Sequence, residues 1–304
     1  MSLTQGVADW PTLTVLDVGA RGGLHERWRR CIAPVVGIGF DADKNECARL
    51  NALGTGIQYL PYALGAENGA RGTLYITARP ECSSLLEPNM NFVEQFPYGP
   101  ALMTVQRTVP VTLTTLDRVC EEEKLQPDVL KLDIQGGELA ALRGAKSILS
   151  SLLLIESEVE FNPQYKNGPL FGDLDRFLRD QGWQLLGLRR SYWRRFRAPS
   201  ADGGTLMHGD ALWINDSLMA DPAPEVCLKA IAALQVYRQL DYVAKLASGC
   251  SLDPETRLYP VAPWWARVIR LLMRAIAPHP QWRAWLDMCC PPEVTDWHDP
   301  DDFF

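Results

Sequence analysis

The segment at residues 129–145, V-L-K-L-D-I-Q-G-G-E-L-A-A-L-R-G-A, constrains the fold more than any other part of this chain. Its apolar start predicts a buried strand, its glycines a tight turn, and its apolar spacing afterwards a helix. Asp133 therefore stands at the carboxyl end of a strand, where open α/β sheets bind their ligands. Residues 15–23 repeat this order with Asp17 and a second glycine loop. Two such units predict a parallel sheet that binds a nucleotide-like cofactor.

Apolar, β-branched runs alternate with helical patterns over the first two thirds of the chain. Predicted strands cover residues 13–18, 35–40, 57–60, 73–77, 108–113, 129–134, 152–159, 183–188 and 206–215. Predicted helices cover residues 24–32, 44–53, 115–123, 138–150 and 170–180. Because this alternation implies right-handed βαβ crossovers, we expect an α/β fold with a mostly parallel sheet and helices on both faces.

The last third of the chain has an all-helical pattern. Helical spacing covers residues 225–248, 264–276 and 281–288, and an acidic, proline-interrupted tail begins at Pro291. We expect a main domain at residues 1–216 and a helical C-terminal extension at residues 217–304. The basic amphipathic spacing of residues 264–276 favours packing on the domain, or a homo-oligomer contact, over a membrane surface.

The composition limits the class of function. The formal net charge of -7 argues against nucleic-acid binding, which needs a basic surface. The 8 cysteines and 4 histidines form neither a C-x-x-C pair nor a metal-binding spacing, so we expect reduced thiols and no metal site. Neither a signal-peptide pattern nor an apolar run of the ~20 residues needed to span a membrane is present. These features predict a cytoplasmic protein without integral membrane contact.

The first glycine loop favours a cationic ligand over a phosphate. Its spacing is G-x-x-G-G, from Gly19 to Gly23, whereas dinucleotide-binding loops have G-x-G-x-x-G. Asp17 would repel a phosphate but suits an amino group. Asp41, at the end of the next strand, has the place of an acid that accepts hydrogen bonds from ribose hydroxyls. Asp43, two residues later, could equally cap the following helix.

Seven motifs follow one another along the chain. They are V-L-D-V-G-A-R-G-G at 15–23, G-F-D-A-D at 39–43, A-L-G at 63–65, C-S-S-L at 82–85, T-L-D-R-V at 115–119, the segment at 129–145, and L-L-I-E-S-E-V at 153–159. In this order they resemble the FkbM-type S-adenosylmethionine-dependent methyltransferases over roughly residues 12–215. The resemblance implies a seven-stranded Rossmann-like sheet, S-adenosyl-L-methionine as cofactor, and O-methylation of a hydroxyl on a sugar, glycan precursor or similar small metabolite.

The resemblance also implies a cofactor site. The methionine part of the cofactor would lie near Asp17, Gly19, Ala20 and Gly22, the ribose near Asp41 and Ala42, and the adenine near Ala63 and Leu64. Ser83 and Ser84 would face the cofactor or the acceptor. Arg21 stands where the family commonly has Asn, and we expect it to point to solvent.

Asp133 is the first candidate catalytic residue, as the base or as the group that orients the acceptor; a hydrogen-bond acceptor on the cofactor side is the alternative. Glu156 is the second candidate, because alternation places Glu156, Glu158 and Glu160 on one face of a strand and Glu156 lies nearest the sheet. The alternative is a polar strand face. His208, on a late strand, is a third candidate or a structural histidine.

Gln135 departs from the family pattern, which usually has Glu at this position. A neutral amide cannot act as a general base. The substitution therefore leaves a second function class open, a protein that binds S-adenosylmethionine without transferring its methyl group. A third class, a nicotinamide-dependent oxidoreductase, is disfavoured by the glycine spacing and by Asp17.

Overall fold

A computed structural model describes residues 10–195 and 204–249 of the chain. Its ten strands in this part of the chain are β1 (Leu13–Val18), β2 (Val35–Phe40), β3 (Gln58–Leu60), β4 (Ala63–Leu64), β5 (Arg71–Thr77), β6 (Val105–Thr114), β7 (Val129–Leu132), β8 (Leu154–Glu160), β9 (Trp183–Trp193) and β10 (Thr205–Asn215). The predicted strands all form, with bounds shifted by a few residues at most, apart from β6 and β9, which are longer.

Seven of these strands form one sheet with the order β3-β2-β1-β7-β8-β10-β9. The first five run parallel, and β10 is antiparallel to both β8 and β9. The predicted Rossmann-like seven-stranded sheet is therefore confirmed. Since β1 connects onward to β2 on one side and β7 to β8 on the other, the strand order reverses between β1 and β7. Open α/β sheets bind ligands outside such a reversal point.

The strands predicted at residues 73–77 and 108–113 belong to a separate three-stranded sheet with the order β4-β6-β5. Strand β5 pairs antiparallel with β6, and the short β4 pairs parallel with it. Because β4 follows β3 after two residues, this second sheet begins beside the edge of the main one.

The α-helices of the described residues are α1 (Lys44–Asn51), α2 (Met90–Val93), α3 (Gly99–Met103), α4 (Leu116–Glu122), α5 (Glu138–Arg143), α6 (Phe171–Arg179), α7 (Asp216–Met219), α8 (Pro224–Val236) and α9 (Leu240–Gly249). The helix predicted at 24–32 is a short 3₁₀ helix, Glu26–Arg30. The helix predicted at 138–150 ends after Arg143, and a 3₁₀ turn, Ile148–Ser150, follows. The helix predicted at 225–248 is two helices, because Arg238 adopts a left-handed φ of 54° between α8 and α9.

One apolar core holds the parallel strands and their helices together. Buried residues of the central strands, among them Leu16 and Leu130, pack with Val119 of α4, Leu142 of α5 and Leu178 of α6. Each fully buried side chain of this kind contributes about 1.5–3 kcal/mol. The core therefore fixes the strand ends, and the functional groups that follow them, on a rigid frame.

The structure divides the chain into two compact units, with the division between Ala233 and Leu234. The predicted boundary after residue 216 stays a prediction. Cys31, Cys47, Cys82 and Cys120 are free thiols, but Cys227 is disulfide-bonded, contrary to the expectation of reduced cysteines. In the described ranges no helix has the length and apolarity that crossing a bilayer requires. The helices predicted at 264–276 and 281–288 and the acidic tail lie outside the described residues.

Candidate active site

The two glycine-containing motifs meet where the strand order reverses. The backbone N–H of Asp133 donates to the carbonyl of Val18 over 2.9 Å, which joins the ends of β7 and β1. Gly19 lies so close to this junction that a Cβ at its position would stand 1.8 Å from the carbonyl oxygen of Asp133. The first glycine loop and the predicted catalytic strand end therefore form one continuous wall.

A crevice of about 780 Å³, its open mouth included, lies against this wall. Eight of the residues predicted for the site line it: Gly19, Asp41, Ala42, Ala63, Leu64, Ser83, Ser84 and Asp133. Five are not part of the lining: Asp17, Ala20, Gly22, Glu156 and His208. The structure thus brings together the groups assigned to ribose, adenine and acceptor.

The end of β2 presents an acidic group to the crevice beside a guanidinium. The Oδ1 atom of Asp41 accepts a hydrogen bond from the backbone N–H of Asp43 over 2.7 Å, and burial raises the pKa of the Asp41 carboxyl. Arg21 does not point to solvent: its Nη2 lies 3.0 Å from the Asp43 carboxylate, and its Nε lies 3.8 Å from that of Asp41. Asp43 also caps α1 through the N–H of Asn45. Arg21 therefore reduces the repulsion between two carboxylates at the predicted ribose position.

Asp17 lies beneath the crevice, bound to Lys131. The Lys131 Nζ donates to Asp17 Oδ1 over 2.9 Å, and the carboxylate side chain is 2% exposed. Burial acts to lower the pKa of Lys131, but the charges of Asp17, Asp133 and Glu156 outweigh it, and the pKa is raised. Lys131 therefore stays charged. Asp17 is not part of the crevice lining, so its predicted place near the methionine part of the cofactor stays a prediction.

Ala20 and Gly22 also lie behind the lining. Ala20 is buried in a small apolar cluster with Cys47, Leu50 and Tyr59. The N–H of Gly22 donates to the Glu46 side chain over 3.0 Å. Both residues shape the glycine loop, and a direct contact with the cofactor stays a prediction.

The side-chain amide of Gln135 lies beside Asp133, and both its nitrogen and its oxygen form hydrogen bonds. Its Nε2 donates to Asp133 Oδ1 over 3.0 Å and to Glu158 Oε2 over 2.6 Å. Its Oε1 accepts from the hydroxyl of Tyr165 over 2.7 Å, and its backbone carbonyl accepts from the hydroxyl of Ser84 over 2.6 Å. Burial and the charge of Asp133 raise the pKa of Glu158. The side chain of Asp133 remains 39% exposed toward the crevice.

Glu156 neither lines the crevice nor lies beside Asp133. Strands β7 and β8 pair Lys131 with Glu156, so Asp133, two residues further on, meets Glu158. The Glu156 carboxylate is 2% exposed and lies 3.0 Å from Nη1 of Arg27 in a buried ion pair. Alternation did place the three glutamates on one face, but the strand register selects the second of them. The catalytic role predicted for Glu156 has no support from this geometry.

His208 lies inside the fold, away from the crevice lining. It pairs with Glu160 across β10 and β8, and its ring meets that of Trp193 edge-on at 6.4 Å. Burial lowers the pKa of its imidazole. A ring packed against Trp193 at this place is typical of a structural histidine, so the catalytic role predicted for His208 stays without geometric support.

Two further buried carboxyls lie behind Asp133. Glu138 is 2% exposed and its Oε1 accepts from the backbone N–H of Ile134 over 2.8 Å. Burial raises the pKa of Glu138 to about 7. Glu160 accepts from the N–H of Gln164, and burial raises its pKa as well. Burial therefore disfavours the charged form of both carboxyls behind the crevice.

Replacing Glu138 with Gln is expected to make stability less dependent on pH. Because the folded pKa is about 7 and the ordinary value 4.5, the native state binds more protons between these pH values, and stability falls as pH rises through them. The shift corresponds to about 3 kcal/mol for this group. Urea unfolding at pH 5 and pH 8 measures the difference. The exposed Glu67→Gln variant is the control, and an unchanged pH dependence in Glu138→Gln would contradict the assignment.

Three contributors to the site were missed from the sequence. Glu158 stood in the predicted trio, but only the register of β7 and β8 reveals that it lies beside Asp133. Tyr165 comes from the loop after β8, 30 residues from Gln135, and no local pattern marks it. Arg27, the ion-pair partner of Glu156, lies on the 3₁₀ helix within residues 24–32, where the sequence predicts a helix but gives no sign of this pairing.

In the seven-stranded sheet only β10 runs against the other six strands, which is the arrangement of a Rossmann-like methyltransferase. The model of the methyltransferase FkbM domain matches residues 17–185 of the chain. This match covers more than half of the 304 residues, and the chain belongs to the FkbM methyltransferase family. The resemblance predicted from the seven motifs is thereby confirmed.

Similarity to individual proteins is distant. No curated protein sequence matches the chain. Among solved structures, a TehB-like S-adenosylmethionine-dependent methyltransferase of Corynebacterium glutamicum has 11% identity and a TM-score of 0.33, over 66% of this chain and 79% of that one. A Streptococcus pneumoniae protein described as a tRNA methyltransferase has 13% identity and a TM-score of 0.32, over 88% and 91%. An E. coli prophage protein described as a DNA modification methyltransferase has 9% identity and a TM-score of 0.36, over 70% and 49%. At these scores none of the three bears on the function of this chain.

Proposed function

We propose that this protein transfers a methyl group from S-adenosyl-L-methionine to a hydroxyl of a sugar, a glycan precursor or a similar small metabolite. The observation that carries the proposal is the half-exposed carboxylate of Asp133, which lines the crevice at the point where the strand order reverses. Family membership supports methyl transfer, and the acceptor class comes from the resemblance. A cytoplasmic location belongs to the same proposal.

The charge of the crevice supports a cationic cofactor. Its lining includes four carboxylates, Asp41, Asp43, Glu81 and Asp133, against the single guanidinium of Arg21. A pyrophosphate would meet this excess of negative charge, whereas a sulfonium and an amino group are attracted to it. Asp41 is placed to accept hydrogen bonds from ribose hydroxyls. The residues present therefore fit S-adenosylmethionine better than a nicotinamide dinucleotide.

When bound, S-adenosylmethionine supplies a methyl group on a positively charged sulfur. The chain has to align an acceptor oxygen with that methyl group and remove the proton of the hydroxyl as the new bond forms. Asp133 accepts this proton in our proposal, because its carboxylate faces the crevice and is held from behind by Gln135. Ser83 and Ser84, from the connection between β5 and α2, also line the crevice, and the Ser84 hydroxyl donates to the carbonyl of Gln135.

Calorimetry with S-adenosylhomocysteine and with NAD tests the cofactor. We expect saturable binding of S-adenosylhomocysteine and none of NAD, because of the charge of the crevice. Tight binding of NAD without a response to S-adenosylhomocysteine would overturn the proposal and favour an oxidoreductase.

A panel of hydroxyl compounds with labelled S-adenosylmethionine tests the reaction. We expect transfer to at least one compound and a decrease of about 10²–10⁴-fold in Asp133→Asn, with S-adenosylhomocysteine affinity retained. The surface variant Glu67→Gln is the control and should keep full activity. Loss of cofactor binding in Asp133→Asn would instead assign Asp133 to the cofactor. Binding without transfer to any compound would favour a binding protein.

A further inference from the structure

The amide of Gln135 joins two carboxylates that would otherwise face each other. Its single Nε2 atom lies 3.0 Å from an oxygen of Asp133 and 2.6 Å from an oxygen of Glu158. A nitrogen at these distances from two carboxylates occupies a position that suits a small cation. In this protein a neutral amide nitrogen, which is covalently part of the chain, occupies that position.

The orientation of this amide follows from its partners. Reversing it would place Oε1 against both carboxylates, which accept but do not donate hydrogen bonds when ionised. On the other side, the hydroxyl of Tyr165 donates to Oε1 over 2.7 Å, and this hydroxyl also lies 2.9 Å from the carbonyl of Cys82. With Asp133 and Glu158 ionised, the amide nitrogen of Gln135 is therefore the atom that faces both carboxylates.

Lys131, the nearest cation, does not bridge Asp133 and Glu158. Lys131 is bonded to Asp17 at 2.9 Å and lies 3.8 Å from the far oxygen of Asp133. Behind Glu158 lie two further carboxyls, Glu138 and Glu160, whose charges oppose its ionisation. In the described part of the chain no group of three or more His, Cys, Asp or Glu side chains is arranged to hold a metal ion.

We propose that Gln135 is a positioning residue whose amide takes the place of a divalent cation between Asp133 and Glu158. The amide holds the two carboxylates side by side and aims Asp133 into the crevice, so the site needs no metal ion to assemble. Only the consequence for catalysis, a correctly aimed Asp133, rests on the proposed function. The bridging of Asp133 and Glu158 by the Gln135 amide can be tested without a methyl acceptor.

The test is binding of Mn²⁺ alone, followed by calorimetry and by its electron paramagnetic resonance signal. Gln135→Glu keeps the shape of the side chain but replaces the donor with a third carboxylate. We expect one Mn²⁺ per molecule in this variant, bound about tenfold or more tightly than by the wild type, because affinity rises with the number of charged oxygen ligands. We also expect Mn²⁺ to raise the midpoint of thermal unfolding of this variant alone.

Two further variants make the test decisive. In Asp133→Asn combined with Gln135→Glu, the tight Mn²⁺ site should be lost, since one of the three carboxylates is removed. The backbone of Gln135 is left-handed, with a φ of 58°. Gln135→Ala removes the amide without adding charge and needs the same backbone conformation as Gln135→Glu, so it serves if Gln135→Glu does not fold. We expect it to bind Mn²⁺ more weakly than Gln135→Glu but more tightly than the wild type.

Equal Mn²⁺ binding by the wild type and the foldable variant would overturn the proposal, as would a site that survives the loss of Asp133. If Gln135 has only a structural role, its variants should be less stable and Mn²⁺ should not restore their stability. This result would also overturn the proposal. Failure of the proposed function has a different signature, namely absent S-adenosylhomocysteine binding or absent methyl transfer by the wild type.

Discussion

Replacing Gly19 with alanine is expected to destabilise the protein by more than about 4 kcal/mol and to abolish binding of S-adenosylhomocysteine. The new Cβ would stand 1.8 Å from the backbone oxygen of Asp133 and 2.7 Å from its carbonyl carbon. Because both atoms belong to a buried strand end, they cannot move aside without separating β1 from β7. Losses of this size are exceptional for single substitutions and indicate backbone disruption. Urea unfolding and calorimetry measure the two effects.

Gly22→Ala is the matched control for this prediction. Gly22 has the same φ of 83° as Gly19, but a Cβ at Gly22 would meet no heavy atom within 4 Å. Both variants therefore bear the strain of a left-handed alanine, about 1–2 kcal/mol, and only Gly19→Ala bears the collision. Equal losses of stability in the two variants would show that backbone strain alone explains the need for glycine.

Replacing Glu156 with leucine is expected to lower the free energy of unfolding by about 3–5 kcal/mol. The substitution removes the carboxylate that lies 3.0 Å from the buried guanidinium of Arg27, and breaking a buried ion pair from one side is costly. A second variant, in which Arg27→Met accompanies Glu156→Leu, should recover most of the loss, because apolar replacements of a buried ion pair are often neutral. Urea unfolding of the wild type and both variants gives the comparison.

This result also separates a structural Glu156 from a catalytic one. If Glu156 were the base, Glu156→Gln would lose methyl transfer while unfolding at the urea concentration of the wild type. We expect the opposite result. The urea midpoint of unfolding should fall, and the rate of methyl transfer should change only to the extent that the folded protein is destabilised. An unchanged midpoint in Glu156→Leu would contradict the buried ion pair.

The parts of the site that follow from local patterns were predictable. Residues 129–134 read as a strand ending in an acid, and Asp133 does line the crevice after β7. Asp41 was likewise placed by its position after a strand, and it lies in the same crevice. In both cases the carboxyl end of a parallel strand determines where the side chain goes, and a strand is recognisable from a few neighbouring residues.

The parts that depend on pairing between distant segments were not predictable. Glu156 and Glu158 are equivalent by alternation, and only the register of β8 against β7 decides which of them meets Asp133. The partners of Arg21 and Tyr165 lie 22 and 30 residues away, in loops without a periodic pattern. From the sequence, Gln135 was interpreted as the loss of a carboxylate. Its neighbours show that the side chain donates hydrogen bonds, which a carboxylate could not do.

The hydrogen bond between Asp133 and Val18 ties the two halves of the crevice to one strand register. A slip of one residue would turn Asp133 into the core and bring Ile134 to the surface, because side chains alternate along a strand. The glycine loop and the carboxylate therefore cannot diverge independently between related proteins. Ser83 and Ser84, on the connection from β5 to β6, lie outside this register. The fold thus separates a part of the crevice that strand pairing fixes from a part that it leaves free.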